Sequence, residues 1–232
     1  MNKILICDDE PDIVNALEIY LSNDSSFKII KAYNGLEALN SVETTTDLSL
    51  VIMDIMMPVM DGITAMGKIR EKSNVPVILL TAKSEDYDKI LGLNAGADDY
   101  ITKPFNPMEV QARVKSQIRR YTSLGASNQS MGKAYIIGEL VVDPDRKSVT
   151  LGGEPVKLTP TEFEILCLLM SDPDKVFSPD EIYETVWKSD AKFNNNTVAV
   201  HIRRLREKLE LNPNQPDYIK VLWGQGYKIE GR

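Results

Sequence analysis

Residues 50–58 read Leu50-Val51-Ile52-Met53-Asp54-Ile55-Met56-Met57-Pro58, an apolar run that ends on one carboxylate, with Asp61-Gly62 just beyond. The same design recurs elsewhere. Ile4-Leu5-Ile6-Cys7 leads into Asp8-Asp9-Glu10, Val77-Ile78-Leu79-Leu80 into Thr81, and Tyr100-Ile101-Thr102 into Lys103-Pro104. Short apolar runs without polar alternation suit strands buried on both faces of a parallel sheet. In open sheets of that kind, ligands sit beyond the carboxyl ends of the strands. The pattern therefore gathers three carboxylates, a hydroxyl and an ammonium on one edge, and predicts a metal-assisted phosphate site there.

Working outward, strands are expected near 3–7, 27–32, 50–54, 76–80 and 99–102, alternating with helices near 11–22, 35–43, 62–72, 85–95 and 106–120. Five βα units of this spacing favour a doubly wound α/β sandwich. The last helix carries a start signal: Asn106 as N-cap, Pro107 in the first turn and Glu109 three residues after the cap. Residues 122–133 are small, polar and aperiodic, and read as a linker between a first domain over 1–121 and a second over 134–232.

The second domain changes pattern. Runs at Tyr135–Val142, Ser148–Leu151 and Pro155–Leu158 read as strands, with turns at Asp143-Pro144-Asp145 and Gly152-Gly153. Helices are expected at about 160–170, 179–187 and 195–210, and strands at Tyr218–Leu222 and Tyr227–Ile229. A helical trio closed by a hairpin predicts an α+β winged helix-turn-helix.

Composition narrows the function. With 232 residues, 43% hydrophobic and 26% charged, the chain suits two modest globular domains. No run of about 18 apolar residues predicts a membrane span, and the N-terminus lacks the pattern of a signal peptide. Cys7 and Cys167 each lie in an apolar element, so a disulfide framework is not expected and a reducing cytoplasm fits. The single histidine, His201, excludes a His-rich metal site and argues against a histidine kinase core. Net charge is −7, with 13 Lys/Arg against 18 Asp/Glu over residues 1–121 and 14 against 16 over 122–232. Neither half is basic, so a nucleic-acid role must rest on a local cluster.

A carboxylate attacks a phosphoryl group only where the charge of both is neutralised. Crowded carboxylates repel one another, and Mg²⁺ relieves this with oxygen ligands while clamping a phosphoryl oxygen. Asp54 is central and is read as the nucleophile, forming an acyl phosphate. Asp8 and Asp9 would hold the metal, Asp9 directly and Asp8 through water; Lys103 and Thr81 would bind phosphoryl oxygens. The bland alternative, that these acids are helix caps and exposed loop residues, accounts for Asp8-Asp9 alone but poorly for the full set.

These motifs give a resemblance. Asp8-Asp9, Asp54, Pro58-x-x-Asp61-Gly62, Thr81-Ala82 and Lys103-Pro104-Phe105 are similar to the response-regulator receiver domain, across the whole first domain. The resemblance implies the strand order 2-1-3-4-5, phosphorylation of Asp54 by a sensor histidine kinase, and the Met56 carbonyl as a further metal ligand. It also implies a cis peptide before Pro104 and a switch through Thr81 and Tyr100, although Tyr100 reads equally as a core aromatic. The stretch from Gly96 to Phe105 resembles regulators of the OmpR/PhoB type, whose matching surface pairs two copies on phosphorylation. The matching residues are Lys89, Ile90, Leu93, Asp98, Asp99, Glu109, Ala112, Arg113 and Arg120; on charge alone they read as a solvated face.

In Asn195–Leu209, Val198, Ile202, Leu205 and Leu209 form one apolar stripe. At about 100° per residue, Asn196, Val200, Arg203, Arg204 and Glu207 are expected to point away from it, with Arg206 on the flank. Guanidinium groups there suit guanine edges or phosphates, Val200 a thymine methyl, and Thr197 a phosphate at the helix start. His201 reads either as a phosphate contact or as core. Leu158-Thr159-Pro160-Thr161-Glu162-Phe163, the run from Val198 to Arg206 and Gly224-Gln225-Gly226-Tyr227 resemble the OmpR/PhoB winged-helix effector. That resemblance places the third helix in the major groove and the hairpin in the minor groove, with Lys220 and Lys228 near the backbone. Ala199 and Trp223 depart from its usual residues.

The expected protein is a phosphorylation-controlled transcription factor, read as an activator, acting on promoter DNA with RNA polymerase. A turnover phosphatase is the enzyme alternative. It normally needs a second acid two residues after the nucleophile, where this chain has Met56. Only self-phosphotransfer and slow self-hydrolysis are therefore expected, not turnover. A flavin carrier lacks its phosphate loop after the first strand. A module binding only protein partners remains the alternative if the arginines are solvated surface.

Overall fold

The computed structural model describes residues 1–82, 96–123, 134–188 and 195–230. The chain divides into two compact units, Met1–Thr122 and Ser123–Arg232. Among the described residues, no helix is long and apolar enough to cross a membrane.

The first unit builds a five-stranded parallel sheet from β1 (Asn2–Cys7), β2 (Phe27–Ala32), β3 (Leu48–Asp54), β4 (Val77–Ala82) and β5 (Asp99–Lys103), in the order β2-β1-β3-β4-β5. β3 is buried at every position. It lies between β1, with Ile52 beside Ile6, and β4, with Asp54 beside Leu80. This two-sided burial is why its sequence shows no polar alternation. Ile4, Ile6, Leu50, Ile52, Ile78 and Leu80 face a core closed by Val14, Leu17 and Leu21 of α1 (Pro11–Ser22) and Val110, Val114 and Ile118 of α4 (Pro107–Ser123). The opposite register, including Leu5, Val51, Met53 and Leu79, is equally buried. Helices α2 (Gly35–Thr44) and α3 (Gly62–Lys72) pack against each other.

Asp61 caps α3, its carboxylate accepting from the Thr64 N–H at 2.8 Å and the Thr64 hydroxyl at 2.7 Å. Those bonds outweigh desolvation and hold its carboxyl below the ordinary range. Asn106 accepts from the Met108 N–H at 2.9 Å, but Glu109 turns to Arg113 at 3.0 Å, so the expected reciprocal cap from Glu109 is corrected to an i,i+4 ion pair. The helix expected over 85–95 lies outside the described residues. α4 runs through Ser123, into the stretch read as the start of the linker.

The second unit opens with an antiparallel sheet, β6 (Tyr135–Ile137), β7 (Leu140–Asp143), β8 (Ser148–Leu151) and β9 (Glu154–Pro155). The single strand expected over Tyr135–Val142 is two strands of a hairpin. Gly138, at φ +57°, takes the left-handed turn that ends the first. The strand expected over Pro155–Leu158 is only the two-residue β9, since α5 begins at Pro160. Helices α5 (Pro160–Ser171), α6 (Pro179–Trp187) and α7 (Asn195–Leu209) follow, then the hairpin β10 (Ile219–Leu222) and β11 (Gly226–Ile229). A Cβ at Gly226 would sit 2.0 Å from the Phe177 carbonyl oxygen, so only glycine lets Phe177 and Tyr227 exchange their backbone hydrogen bonds at 2.8 and 2.9 Å.

Candidate phosphate site and nucleic-acid interface

The carboxyl ends of β1, β3 and β5 bring Asp8, Asp54 and Lys103 together. Lys103 Nζ lies 2.8 Å from Asp8 Oδ2 and 2.9 Å from Asp54 Oδ1, with Glu10 Oε1 farther out at 3.9 Å. Asp54 Oδ2 accepts the Met56 N–H at 3.0 Å, and Asp8 Oδ1 accepts the Glu10 N–H at 3.0 Å. These bonds fix both carboxylates in rotation. Asp9 is exposed, and oxygens of Asp8, Asp9 and Asp54 all lie within 4.8 Å of one another. Thr81, 2% exposed, is the penultimate residue of β4 and donates to the Ala82 carbonyl at 3.3 Å. The Lys103–Pro104 peptide is cis.

The electrostatics favour added positive charge. Burial pushes the Asp54 carboxyl above its ordinary range, and Asp8 adds to this, against the pull of Lys103. Burial alone would lower Lys103, yet its ion pairs with Asp8 and Asp54 hold it above its usual value. The Asp54 shift is thus chiefly burial, and the Lys103 shift the net of burial against its two acid partners. Asp8 Oδ2 is buried without a hydrogen bond, and its contact with Lys103 is an ion pair without hydrogen-bond alignment. An all-oxygen donor set with one under-used buried oxygen fits a hard divalent cation and is compatible with Mg²⁺. Gly62 keeps the floor closed: a Cβ there would lie 2.0 Å from the Asp54 carbonyl oxygen.

Of the expected pairing face, Lys89, Ile90 and Leu93 lie outside the described residues. The solvated-face reading is corrected for Asp98, Asp99 and Arg120, which are buried. Asp98 holds Arg70 at 2.7 Å and accepts the Val77 N–H, tying α3 to the sheet. Asp99 accepts Arg113 at 2.9 Å on both oxygens, and Arg113 also holds Glu109. Arg120 bonds Ser116 on its own helix, while Ala112 is exposed. Tyr100 is half-buried, its N–H turned to Asp99 Oδ1 at 2.9 Å.

On the second unit the helical wheel fails in an informative way. α7 packs against both α5 and α6, so its buried arc is wider than one stripe. Thr197 and His201 are fully buried, and His201 tilts against the Trp187 ring of α6 at 5.5 Å. Val200 and Arg204, expected outward, are 8% and 7% exposed. The Arg204 guanidinium faces Glu162 of α5 at 3.4 Å, and Lys208 reaches the same carboxylate at 2.6 Å. Arg206 donates to the Ile219 carbonyl at 3.0 and 2.8 Å. Lys220 is bonded to the Pro216 carbonyl and Lys228 to Glu230. Arg203 remains exposed, paired along the helix with Glu207 at 3.0 Å. Asn196 lies in the first turn, its side chain outside the described part.

Two acids escaped the sequence reading. Glu162 closes a capping box with Thr159, a signal present in Thr159-Pro160-Thr161-Glu162 and there for the taking. Glu210, just past α7, accepts the N–H groups of Asp217, Tyr218 and Ile219. Nothing local in the sequence announces it, because its partners come from a loop that folds back.

A parallel sheet with an acid cluster at its carboxyl edge, joined in one chain to a winged helix, defines a regulator whose DNA-binding part answers to phosphorylation of the other. Residues 4–115 match the response regulator receiver domain, and residues 153–229 the family described as transcriptional regulatory protein, C terminal. The chain is 44% identical to the uncharacterized transcriptional regulatory protein YcbL of Bacillus subtilis, covering 97% of this chain and 99% of that one. It is 42% identical to the regulatory protein VanR of Enterococcus faecium, covering 99% of each. With the alkaline phosphatase synthesis transcriptional regulatory protein PhoP of Bacillus subtilis it shares 41%, covering 98% and 96%. Among solved structures, DrrB, a Thermotoga maritima OmpR/PhoB homologue, is 33% identical over all of both chains with a TM-score of 0.50. A RitR variant, at 24% identity and a TM-score of 0.79 over all of both chains, shares the fold. The chain belongs to the OmpR/PhoB-type response regulators, and is a phosphorylation-dependent transcriptional regulator whose partners are a histidine kinase and promoter DNA.

Proposed function

We propose that Asp54 is the phosphoryl acceptor, receiving the group from a sensor histidine kinase, and that Asp8, Asp9, Asp54 and the Met56 carbonyl hold Mg²⁺. The observation that carries this is the Asp54 carboxylate, fixed by the Met56 N–H and set among Asp8, Asp9 and Lys103. The ion supplies charge neutralisation at the attacking and transferred oxygens. Lys103 leaves Asp54 to bind the phosphoryl group, and Thr81 donates its hydroxyl to the same group, with Tyr100 following the movement. No second acid stands at Met56 to drive turnover, so the chain acts as its own substrate with slow self-hydrolysis rather than as an enzyme.

Phosphorylation then favours a homodimer through the face carrying Lys89, Ile90, Leu93, Ala112 and the Asp98, Asp99, Glu109, Arg113 and Arg120 charges. Because Asp99 and Arg113 are paired within the chain, cross-subunit pairing exchanges existing ion pairs and contributes little net energy. The dimer binds tandem promoter half-sites through α7 and the hairpin, and engages RNA polymerase in the cytoplasm. Arg203 is the exposed arginine ready for DNA, with Lys220 and Lys228 beside the backbone.

The test is phosphotransfer from candidate kinases or a small acyl phosphate with Mg²⁺, followed by intact-mass measurement. A gain of one phosphoryl group, lost in Asp54→Asn and on chelation, is expected; labelling that survives Asp54→Asn sinks the assignment.

A further inference from the structure

The chain has two tryptophans, and they are placed oppositely. Trp187 is 2% exposed and stacks on Tyr183 with ring centroids 4.8 Å apart. Trp223 is 89% exposed, in the turn between β10 and β11. Among the described residues its ring has no aromatic partner and its Nε1–H no acceptor. Exposure of one apolar residue decides nothing by itself; the mounting does. The Gln225 N–H donates to the Leu222 carbonyl at 3.0 Å, and Gly224, at φ +74°, takes the left-handed position of that turn. At the base, Phe177 and Tyr227 exchange backbone bonds, and Glu210 accepts the Ile219 N–H at 2.9 Å. The ring stands on a braced arm, so seating it against a partner costs little chain entropy. The hairpin's cations are engaged elsewhere. Lys220 and Lys228 are cross-strand neighbours, yet Lys220 is bonded to the Pro216 carbonyl and Lys228 to Glu230. The tip therefore presents an indole rather than a charge.

We propose that Trp223 is a specificity-determining DNA contact: its ring packs on deoxyribose in the minor groove and its Nε1–H donates to the edge of an A·T pair. This rests on the hairpin being the minor-groove element of the proposed function. One ring flanked by Gly224, Gln225 and Gly226 is far smaller than the roughly 800 Å² that a stable protein partner covers on each side. A groove about 6 Å wide takes such a narrow tip between its sugar walls. The indole nitrogen only donates. An A·T pair shows only acceptors in that groove, whereas a G·C pair adds an amino donor that opposes the indole. The contact is apolar with one neutral hydrogen bond, so it releases no counterion and adds nothing to the salt dependence.

The test uses the full chain treated with a small acyl phosphate and Mg²⁺, and a duplex that the wild type enriches from a randomised pool. Trp187 is shielded, so acrylamide quenching of tryptophan fluorescence reports chiefly on Trp223, and it should fall when the duplex binds. Trp223→Ala should keep the urea midpoint and bind the duplex about tenfold more weakly, with the slope of affinity against salt unchanged. Trp223→Phe separates the two halves of the contact. Replacing each A·T pair in turn by G·C should find one position that costs the wild type about fivefold and Trp223→Phe nothing, since phenylalanine has no N–H. Quenching that is unchanged on the bound duplex, wild-type affinity in Trp223→Ala, or a shallower salt slope in that variant overturns the proposal alone. A wild type that enriches no sequence overturns the DNA reading of α7 and the hairpin, and this proposal with it.

Discussion

The two units carry the same three-charge motif with opposite signs. In the first, one cation, Lys103, lies between two acids, Asp8 and Asp54; in the second, one acid, Glu162, lies between two cations, Arg204 and Lys208. What differs is access. Lys103 keeps 19% of its side chain exposed at an open sheet edge, whereas Glu162 has none. A charge imbalance at an open edge can be corrected by an ion from solvent; in the helix junction the central acid is out of solvent's reach and only Lys208 keeps an exposed side chain, at 32%. The first arrangement therefore suits a chemical site and the second a mechanical one.

The largest expected effect breaks the closed junction. Glu162→Leu leaves Arg204 and Lys208 without their acid and should destabilise the second unit by about 3–5 kcal/mol, read from urea unfolding. A loss under about 1 kcal/mol would mean the pair is as weak as a surface one. At the open edge, Lys103→Met should lose about 1–2 kcal/mol. Millimolar Mg²⁺ should restore most of it, because the ion no longer competes with the ammonium. Failure of Mg²⁺ to raise the melting temperature of Lys103→Met more than that of the wild type would count against the acids as a metal site.

A second pair sharpens the comparison. Gly62→Ala and Gly226→Ala each drive a Cβ to 2.0 Å from a backbone oxygen, of Asp54 and of Phe177 respectively. Each should cost about 2–4 kcal/mol, with Gly62→Ala also slowing phosphotransfer because the displaced oxygen belongs to the acceptor. An unshifted unfolding midpoint in either variant would show that the backbone gives way freely.

The smallest effect is a titration. Burial pushes the Cys167 thiol from 9.0 to about 12, with Glu164 adding to it. The unfolded thiol ionises first, so its contribution to stability is whole below about pH 9 and is lost as pH rises toward 12. Relative to Cys167→Ala, the wild type should lose urea midpoint between about pH 8 and about pH 10. A constant difference over that range would place the thiol in water.

The two regions were not equally legible. The acid edge could be read because each charged residue stands at or just past the carboxyl end of its own strand, and strand direction alone decides where Asp8, Asp54 and Lys103 meet. The strand order itself came with the resemblance. Helix α7 was legible as a helix but not as a surface. Periodicity finds one stripe, and α7 is gripped from two sides, which drew Thr197, Val200, His201 and Arg204 inward. The hairpin break at Gly138 was missed because a single glycine in an apolar run reads as a weak strand residue until its positive φ is seen. Glu162 was visible as a cap and overlooked as an ion-pair partner, since its cations lie some forty residues away (Lys208 at a separation of 46).

Glu210 has a wider reach than its position suggests. By gathering the Asp217, Tyr218 and Ile219 amides while Arg206 takes the Ile219 carbonyl, the end of α7 is bolted to the first strand of the hairpin. Helix and hairpin can then turn only together, like the two jaws of a locked calliper. Such a part measures a fixed span and does not adjust to it, so under the proposed function a duplex held by it would itself supply the bending.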